Sequence, residues 1–237
     1  SNVDPKLTLN FIKTKNLRKS YVTRVNNMES IIGAFSLYIV LKPKTLEYQN
    51  RNYYHIKDFK EIWNLQDYSE ENWPKAYMIS MGIKKNASKW GESLTIMTYM
   101  KYSDVQKWEN TFNAAINRND RGISYERFKR IKTEKLINEL EKKIPNIRDC
   151  IKTIYTSTPL SYRDYIGCDK GGMYGYVKDV NNPLKSFISP KTKVKNLLLT
   201  GQCLNMHGIL GATIGAVTTC SEIIGKEYLI NRIRDQK

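Results

Sequence analysis

An α+β (mixed α/β) fold is predicted by three features of this 237-residue sequence. Short β-branched and aromatic runs recur between residues 35 and 100. Apolar residues then repeat at helical spacing from 105 to 144, and the last third closes on a glycine-rich, small-residue segment. A hydrophobic content of 41% suits a chain that buries a core.

Arg24 to Ile32 reads as a short helix. Phe35-Ser-Leu-Tyr-Ile-Val-Leu41, bounded by Lys42-Pro43, reads as a buried strand. Further strands are expected at Tyr53 to Ile56, Ala76 to Met81 and Leu94 to Met100, punctuated by Pro74, Gly82 and Gly91. After Ser103-Asp104, either of which can cap a helix, Val105, Trp108, Phe112 and Ile116 recur at helical spacing and predict a helix. A longer helix is predicted by the stripe Tyr125, Phe128, Ile131, Leu136, Leu140 and Ile144, which ends at Pro145 with lysines and arginines opposite. Ile151 to Thr156 reads as a strand. Irregular chain rich in Tyr and Gly follows from Thr158, and Pro183 and Pro190 mark another such stretch. A short strand from Asn196 to Thr200 runs into Gly201-Gln202, and a helix from about Gly211 to Ile224 stops at Gly225.

The formal charge of +16, from 39 basic and 23 acidic residues, favours anionic partners: nucleic acid, an acidic lipid surface or a phosphorylated cofactor. A basic nucleic-acid-binding domain with aromatic stacking is therefore one reading. The sequence contains no helix-turn-helix or similar frame, and a solvated helix face accounts for the basic residues, so no nucleic-acid partner is expected. Cys150, Cys168, Cys203 and Cys220 lie far apart beside only two histidines, a pattern that matches neither a zinc ribbon nor a redox dithiol. Reduced thiols, no metal and a cytoplasmic location are expected. The longest nearly uncharged stretch, Leu197 to Ser221, is interrupted by glycines, Gln202, Asn205 and His207, which argues against a transmembrane helix. Peripheral contact at the inner face of a membrane stays open. The opening Ser1-Asn2, with no start methionine, leads to the expectation of a piece excised from a longer protein.

Two glycine clusters invite a ligand. Gly171-Gly172-Met-Tyr-Gly175 permits positive φ or close backbone approach, as an ordinary surface loop also would. In Gly208-Ile-Leu-Gly211-Ala-Thr-Ile-Gly215, unpaired N–H groups at a helix start present partial positive charge to an electron-rich group. A tightly packed structural helix has the same pattern.

The string Asn196-Leu-Leu-Leu-Thr-Gly-Gln-Cys-Leu-Asn-Met-His-Gly-Ile-Leu-Gly-Ala-Thr213 resembles the closing motif of phytoene desaturase/retinol saturase-type FAD oxidoreductases, carotenoid and retinoid enzymes with an amine oxidase-like fold. Thr156-Ser-Thr-Pro-Leu-Ser-Tyr-Arg-Asp-Tyr-Ile-Gly167 and Gly172-Met-Tyr-Gly175 resemble motifs of that family in the same order. The resemblance covers residues 156 to 225 and, in layout, 20 to 150. It implies a substrate-binding domain at 3–155, built of mixed sheet and helices. It also implies a segment at 156–237 that returns to complete a split, Rossmann-like FAD-binding domain. Gly201 and Gln202 would lie near the flavin ribityl and phosphate groups. The backbone of Gly208, Ile209 and Leu210 would face the pyrimidine end of the isoalloxazine ring, where the helix dipole stabilises negative charge on reduced flavin.

On the same resemblance Tyr162, Tyr165 and Tyr174 would contact an apolar polyene or isoprenoid substrate. His207, Tyr162 and Arg163 are catalytic candidates, none singled out. His207 also reads as a structural loop histidine, and Arg163 with Asp164 as a local ion pair. FAD would be the cofactor, with NAD(P)H a candidate electron source. One departure stands out: the family's Gly-x-Gly-x-x-Gly pyrophosphate fingerprint is absent from the chain, and Gly208-x-x-Gly211-x-x-x-Gly215 has the wrong spacing to replace it. The chain is therefore expected to be a C-terminal fragment without the N-terminal FAD-binding half, inactive and largely cofactor-free by itself. A non-catalytic interaction module of the same fold is the other reading.

Overall fold

A computed structural model of the chain, which describes residues 1–12, 14–83, 89–115 and 121–235, has an α+β fold. In chain order its elements are α1 (Pro5–Phe11), α2 (Lys19–Asn26), β1 (Gly33–Leu41), β2 (Tyr53–Ile56), β3 (Ala76–Gly82), β4 (Ser93–Met100), α3 (Ile123–Glu141), α4 (Ile147–Cys150), β5 (Ile151–Ser157), α5 (Pro159–Ile166), α6 (Pro183–Ser186), α7 (Gly208–Ile224) and α8 (Lys226–Arg234). Two compact units result. One is Ile32–Asp164, the sheet unit, and the other joins Ser1–Ile31 to the chain from Tyr165 onward. No helix of the described residues is long and apolar enough to cross a membrane.

The sheet unit is organised by β1, which pairs antiparallel with β4 on one side and β5 on the other in the order β2-β3-β4-β1-β5. Side chains alternate across a strand, so Phe35, Leu37 and Ile39 share a face. They join Tyr77 and Ile79 of β3, Leu94 and Ile96 of β4, and Leu136, Ile137 and Leu140 of α3 in one buried cluster. Trp73 meets Phe35 edge-on at 5.9 Å and donates its indole N–H to the Tyr99 carbonyl at 2.9 Å. The five strands expected between residues 35 and 156 form, and the expected long helix forms as α3.

The basic face of α3 is largely engaged within the fold. Lys132, only 1% exposed, sits 4.3 Å over the Trp73 ring and donates to Glu70 at 2.6 Å. Lys135 shares Glu70, Lys129 pairs with Glu126, and Lys142 pairs with Glu139. The partly exposed pairs of Lys129, Lys135 and Lys142 each contribute about 0–1 kcal/mol, and together with Lys132 they occupy charge that a phosphate backbone would need.

Three expected elements differ. Residues 105–115 are not α-helical: two 3-10 turns, Tyr102–Asp104 and Gln106–Trp108, precede irregular chain, and Ile116 lies outside the described residues. The reason is competition for backbone groups. Arg163 takes the Glu109 carbonyl at 2.6 Å, Arg121 takes the Thr111 carbonyl at 3.2 Å, and the Asn113 N–H donates to Asp164 at 2.8 Å. Asp104 accepts from the Tyr68 hydroxyl at 2.7 Å instead of capping a helix. The second helix ends at Asn26, short of Ile32, because residues 29–31 run extended beside 175–177, with Ile31 N–H on the Gly175 carbonyl and Val177 N–H on the Glu29 carbonyl. Asn196 to Thr200 forms no strand. A strand exists by pairing, and among the described residues this segment has one isolated bridge, Lys191–Leu198, while its other bonds go to scattered partners: Ser1, Pro190, Thr192, Val194 and Thr219.

Two helices arise where irregular chain was expected, the one-turn α6 and the longer α5. At the start of α5 the Thr158 hydroxyl accepts from Leu160 N–H at 3.2 Å and the Ser161 hydroxyl accepts from Thr158 N–H at 3.1 Å, with proline in the first turn.

In the other unit, Asp4 caps α1 by accepting from Lys6 N–H at 2.9 Å and also accepts the hydroxyl of the buried Tyr176 at 2.7 Å. Burial pushes the Asp4 carboxyl above the ordinary aspartate range, against the lowering effect of those two donors. A raised folded-state value means that stability from protonated Asp4 is complete below the unfolded value and is lost as pH rises through the folded one. The urea midpoint of the wild type relative to Asp4→Asn is therefore expected to fall as pH rises from about 4. A difference that stays constant with pH would contradict the burial of this carboxyl.

Candidate functional site

The glycine-rich segments of the second unit meet around the start of α7. Gly175 has φ +83, and a Cβ there would lie 3.0 Å from the Cα of Cys203 and 3.4 Å from the Gln202 carbonyl oxygen. Only glycine lets the 172–176 loop approach residues 202–203 this closely. Gln202 fastens the same contact from the other side, donating its amide to the Met173 carbonyl at 3.2 Å. Beyond it Lys178 donates to the Leu204 carbonyl at 2.9 Å, and burial pulls its ammonium below the usual lysine range. Burial likewise pushes the Cys203 thiol up to about 12, so it stays an unreactive thiol at neutral pH.

α7 packs against this loop through its small residues. The Thr219 hydroxyl donates to the Leu199 carbonyl at 3.0 Å, and a Cβ on Gly215 would stand 3.8 Å from the Gly201 carbonyl oxygen. At Gly211 the approach is tighter: a Cβ would fall 2.5 Å from the carbonyl carbon of Met206, so the entering chain folds directly over this position. The two glycines are the buried residues of the helix.

The first turn of α7 is open. His207 is its N-cap in extended conformation, and its side chain makes no capping bond but stacks on Tyr174, ring centroids 4.5 Å apart at 23°. The N–H groups of Gly208, Ile209 and Leu210 have no intrahelical acceptors. Ile209 is 92% and Leu210 67% exposed, and a Cβ on Gly208 would meet no atom within 4 Å. The positive pole of a 17-residue helix thus ends in exposed backbone N–H groups beside an aromatic stack. That surface fits a flat ligand with an electron-rich edge.

Of the residues named from the sequence, His207, Gly208, Ile209 and Leu210 make the start of α7, with Tyr174 stacked on His207, while Gly201 lies against Gly215 about two turns into the helix and Gln202 holds Met173, all within one unit. Tyr165 is exposed near the end of α5. Tyr162 and Arg163 belong to the sheet unit. Arg163 holds Asp164 at 2.7 Å and the Glu109 carbonyl, so its guanidinium is committed to structure.

Tyr162 has a neighbourhood that the sequence reading missed. Ser36, Tyr38 and Ser157 surround its hydroxyl, with Tyr38 and Ser157 oxygens 3.3 Å apart. Ser36 pairs with Ser157 and Tyr38 with Tyr155 in register, so these side chains stand on the sheet face opposite Phe35 and Leu37. Burial pushes the Tyr162 phenol above its usual range, which keeps it protonated at neutral pH. The signal available in the sequence was Ser36, the polar residue inside an otherwise apolar strand. Among the described residues no group of three His, Cys, Asp or Glu side chains is placed to hold a metal.

No known family profile matches the chain. Its sequence is similar to all-trans-retinol 13,14-reductase of Danio rerio, 26% identical over 180 residues that make up 72% of this chain and 28% of that protein. The Homo sapiens protein of that name is 27% identical over 140 residues, 55% of this chain and 23% of its own length. The Rattus norvegicus protein is 23% identical over 154 residues, 61% of this chain and 24% of its own length. The chain thus spans about a quarter of the length of these curated relatives. Resemblance to retinol saturase-type oxidoreductases, read first from the closing motif, extends over this part of the chain.

Proposed function

We propose that this chain is the C-terminal part of an FAD-dependent oxidoreductase that saturates or desaturates a carbon–carbon bond of an apolar polyene of retinoid or carotenoid type. The observation that carries the reading is the open first turn of α7, where exposed N–H groups follow the packed Gly201-Gln202 loop. FAD, when bound, supplies the hydride chemistry, with NAD(P)H as a candidate source of electrons. Gly201 and Gln202 would hold its ribityl and phosphate groups, and the N–H groups of Gly208, Ile209 and Leu210 would oppose negative charge at its pyrimidine edge. The Gly-x-Gly-x-x-Gly fingerprint that grips the pyrophosphate must come from residues outside 1–237. Residues 3–155 would serve as the substrate domain and 156–237 as the segment completing the flavin domain.

Saturating a double bond adds a hydride to one carbon and a proton to the other. A phenol held protonated by burial, as at Tyr162, is suited to give that proton, and His207 is the alternative donor. Tyr162, Tyr165 and Tyr174 would line the polyene. An excess of basic residues would draw such an enzyme to the acidic inner face of a membrane, where apolar substrates dissolve.

The test is spectroscopic. The parent polypeptide, loaded with FAD and reduced chemically, is mixed with all-trans-retinol. Loss of one conjugated double bond shortens the chromophore and moves its absorbance to shorter wavelength. Unchanged spectra with retinol under reduction, and with a partly saturated carotenoid under oxidation, would overturn the proposal.

A further inference from the structure

Between the β2–β3 side of the sheet and the chain leaving α3 lies a cavity of about 450 Å³ that the flavin reading does not use. Most of its lining is apolar, from Ile79, Met81 and Leu94 of the strands and Leu46 and Ile144 of the flanking chain, with Gln49, Tyr53 and Tyr54 as polar members. A pocket of this size lies in the range of small-molecule sites. His55 and Tyr77 stand in one wall, rings 4.7 Å apart, and burial lowers the imidazole's proton affinity, with Lys143 adding to the effect.

The mouth carries a charge preference. Glu47 is the acidic residue of the lining, and it is neutralised by Lys89 at 2.8 Å. Lys142 is tied to Glu139 at 2.8 Å. Lys143 lines the cavity, is exposed, and makes no salt bridge among the described residues. An apolar chamber with one uncommitted ammonium at its opening matches a molecule with an apolar body and an anionic end. We propose that this cavity binds an elongated apolar carboxylate, its hydrocarbon body against Ile79, Met81, Leu94 and Ile144 and its carboxylate on Lys143. The site lies wholly within the sheet unit, so it stands or falls independently of the flavin proposal.

The probe is cis-parinaric acid, a fluorescent polyene fatty acid, titrated into the full chain beside its methyl ester, which keeps the body and loses the charge. A charge-assisted bond predicts that the acid binds about tenfold more tightly than the ester. Lys143→Gln is expected to bring the acid to the affinity of the ester and leave the ester unchanged, while Lys142→Gln changes neither. In a spectrum of the chain labelled with ¹³C-methyl methionine, with Met81 assigned through Met81→Leu, the acid should move the Met81 signal. Met97, on the opposite sheet face, should stay in place. Equal affinity for acid and ester, an unaffected Lys143→Gln, no binding at all, or a stationary Met81 signal beside saturable binding each overturn the proposal.

Discussion

Replacing Asp164 with alanine is expected to destabilise the sheet unit by about 3–5 kcal/mol, the cost of breaking a buried ion pair from one side. Asp164 is 0% exposed at its side chain and holds three donors: the Arg121 guanidinium, itself 3% exposed, Arg163 Nε at 2.7 Å and Asn113 N–H at 2.8 Å. Without the carboxylate, Arg121 keeps its charge and its burial, and among the described residues its remaining acceptors are the Thr111 oxygens, with the Tyr125 ring beneath it. The irregular 109–113 segment would lose the anion that pins it. Asp164→Asn retains an acceptor for Asn113 and should fall between wild type and alanine. Urea unfolding followed by tryptophan fluorescence measures this, since Trp108 is buried in the same unit and bonds to Ser124 at 3.0 Å. A loss below about 1 kcal/mol, the worth of an exposed pair, would contradict the account of 105–115 as a segment held by side chains.

Two glycine-to-alanine changes on α7 should move stability in opposite directions. Alanine is the better helix former by about 1 kcal/mol, so propensity alone predicts a gain at both Gly211 and Gly215. At Gly215 the new methyl would stand 3.8 Å from the nearest atom, an ordinary contact, and the gain should appear. At Gly211 it would press to 2.5 Å on the Met206 backbone, and overpacking of this kind costs about 1–3 kcal/mol. Relief requires moving the 206–207 turn that leads into Gly208, so Gly211→Ala should also loosen flavin in the assembled enzyme, whereas Gly215→Ala should not. Thermal unfolding and bound-flavin absorbance of the two variants read both effects. Stabilisation at both positions would show that the glycines do not set the entry to the helix.

These contacts explain which parts of the molecule the sequence could reveal. β1 to β5 were legible because β-branched and aromatic runs with turn residues between them are local signals, and α3 because its apolar stripe is long. Gly225 ends α7 as its position implied. The failure at 105–116 had a non-local cause, because Val105, Trp108 and Phe112 have helical spacing while Arg163 and Asp164, some fifty residues on, claim the backbone. Asn196 to Thr200 reads as a strand by composition, yet pairing partners decide strands. α1 carried a readable start, Asp4 before Pro5, and Thr158-Pro159 gave the same signal for α5. At the candidate site the glycine pattern was visible, but not which glycines serve packing: Gly175 and Gly211 are spoken for by Cys203 and Met206, while Gly208 faces open space. The hydroxyls around Tyr162 needed strand register to be found.

The central claim is that the loop at Gly201-Gln202 and the first turn of α7 form one half of a flavin site. Its most direct test is the FAD stoichiometry of residues 1–237 by themselves and of the parent polypeptide carrying the glycine fingerprint, each measured by flavin absorbance after gel filtration. The account predicts little or no retained FAD for the chain alone, and about one FAD per parent polypeptide, lost on Gly211→Ala. Stoichiometric FAD on residues 1–237 alone, or a parent polypeptide whose FAD content ignores Gly211→Ala, would contradict it.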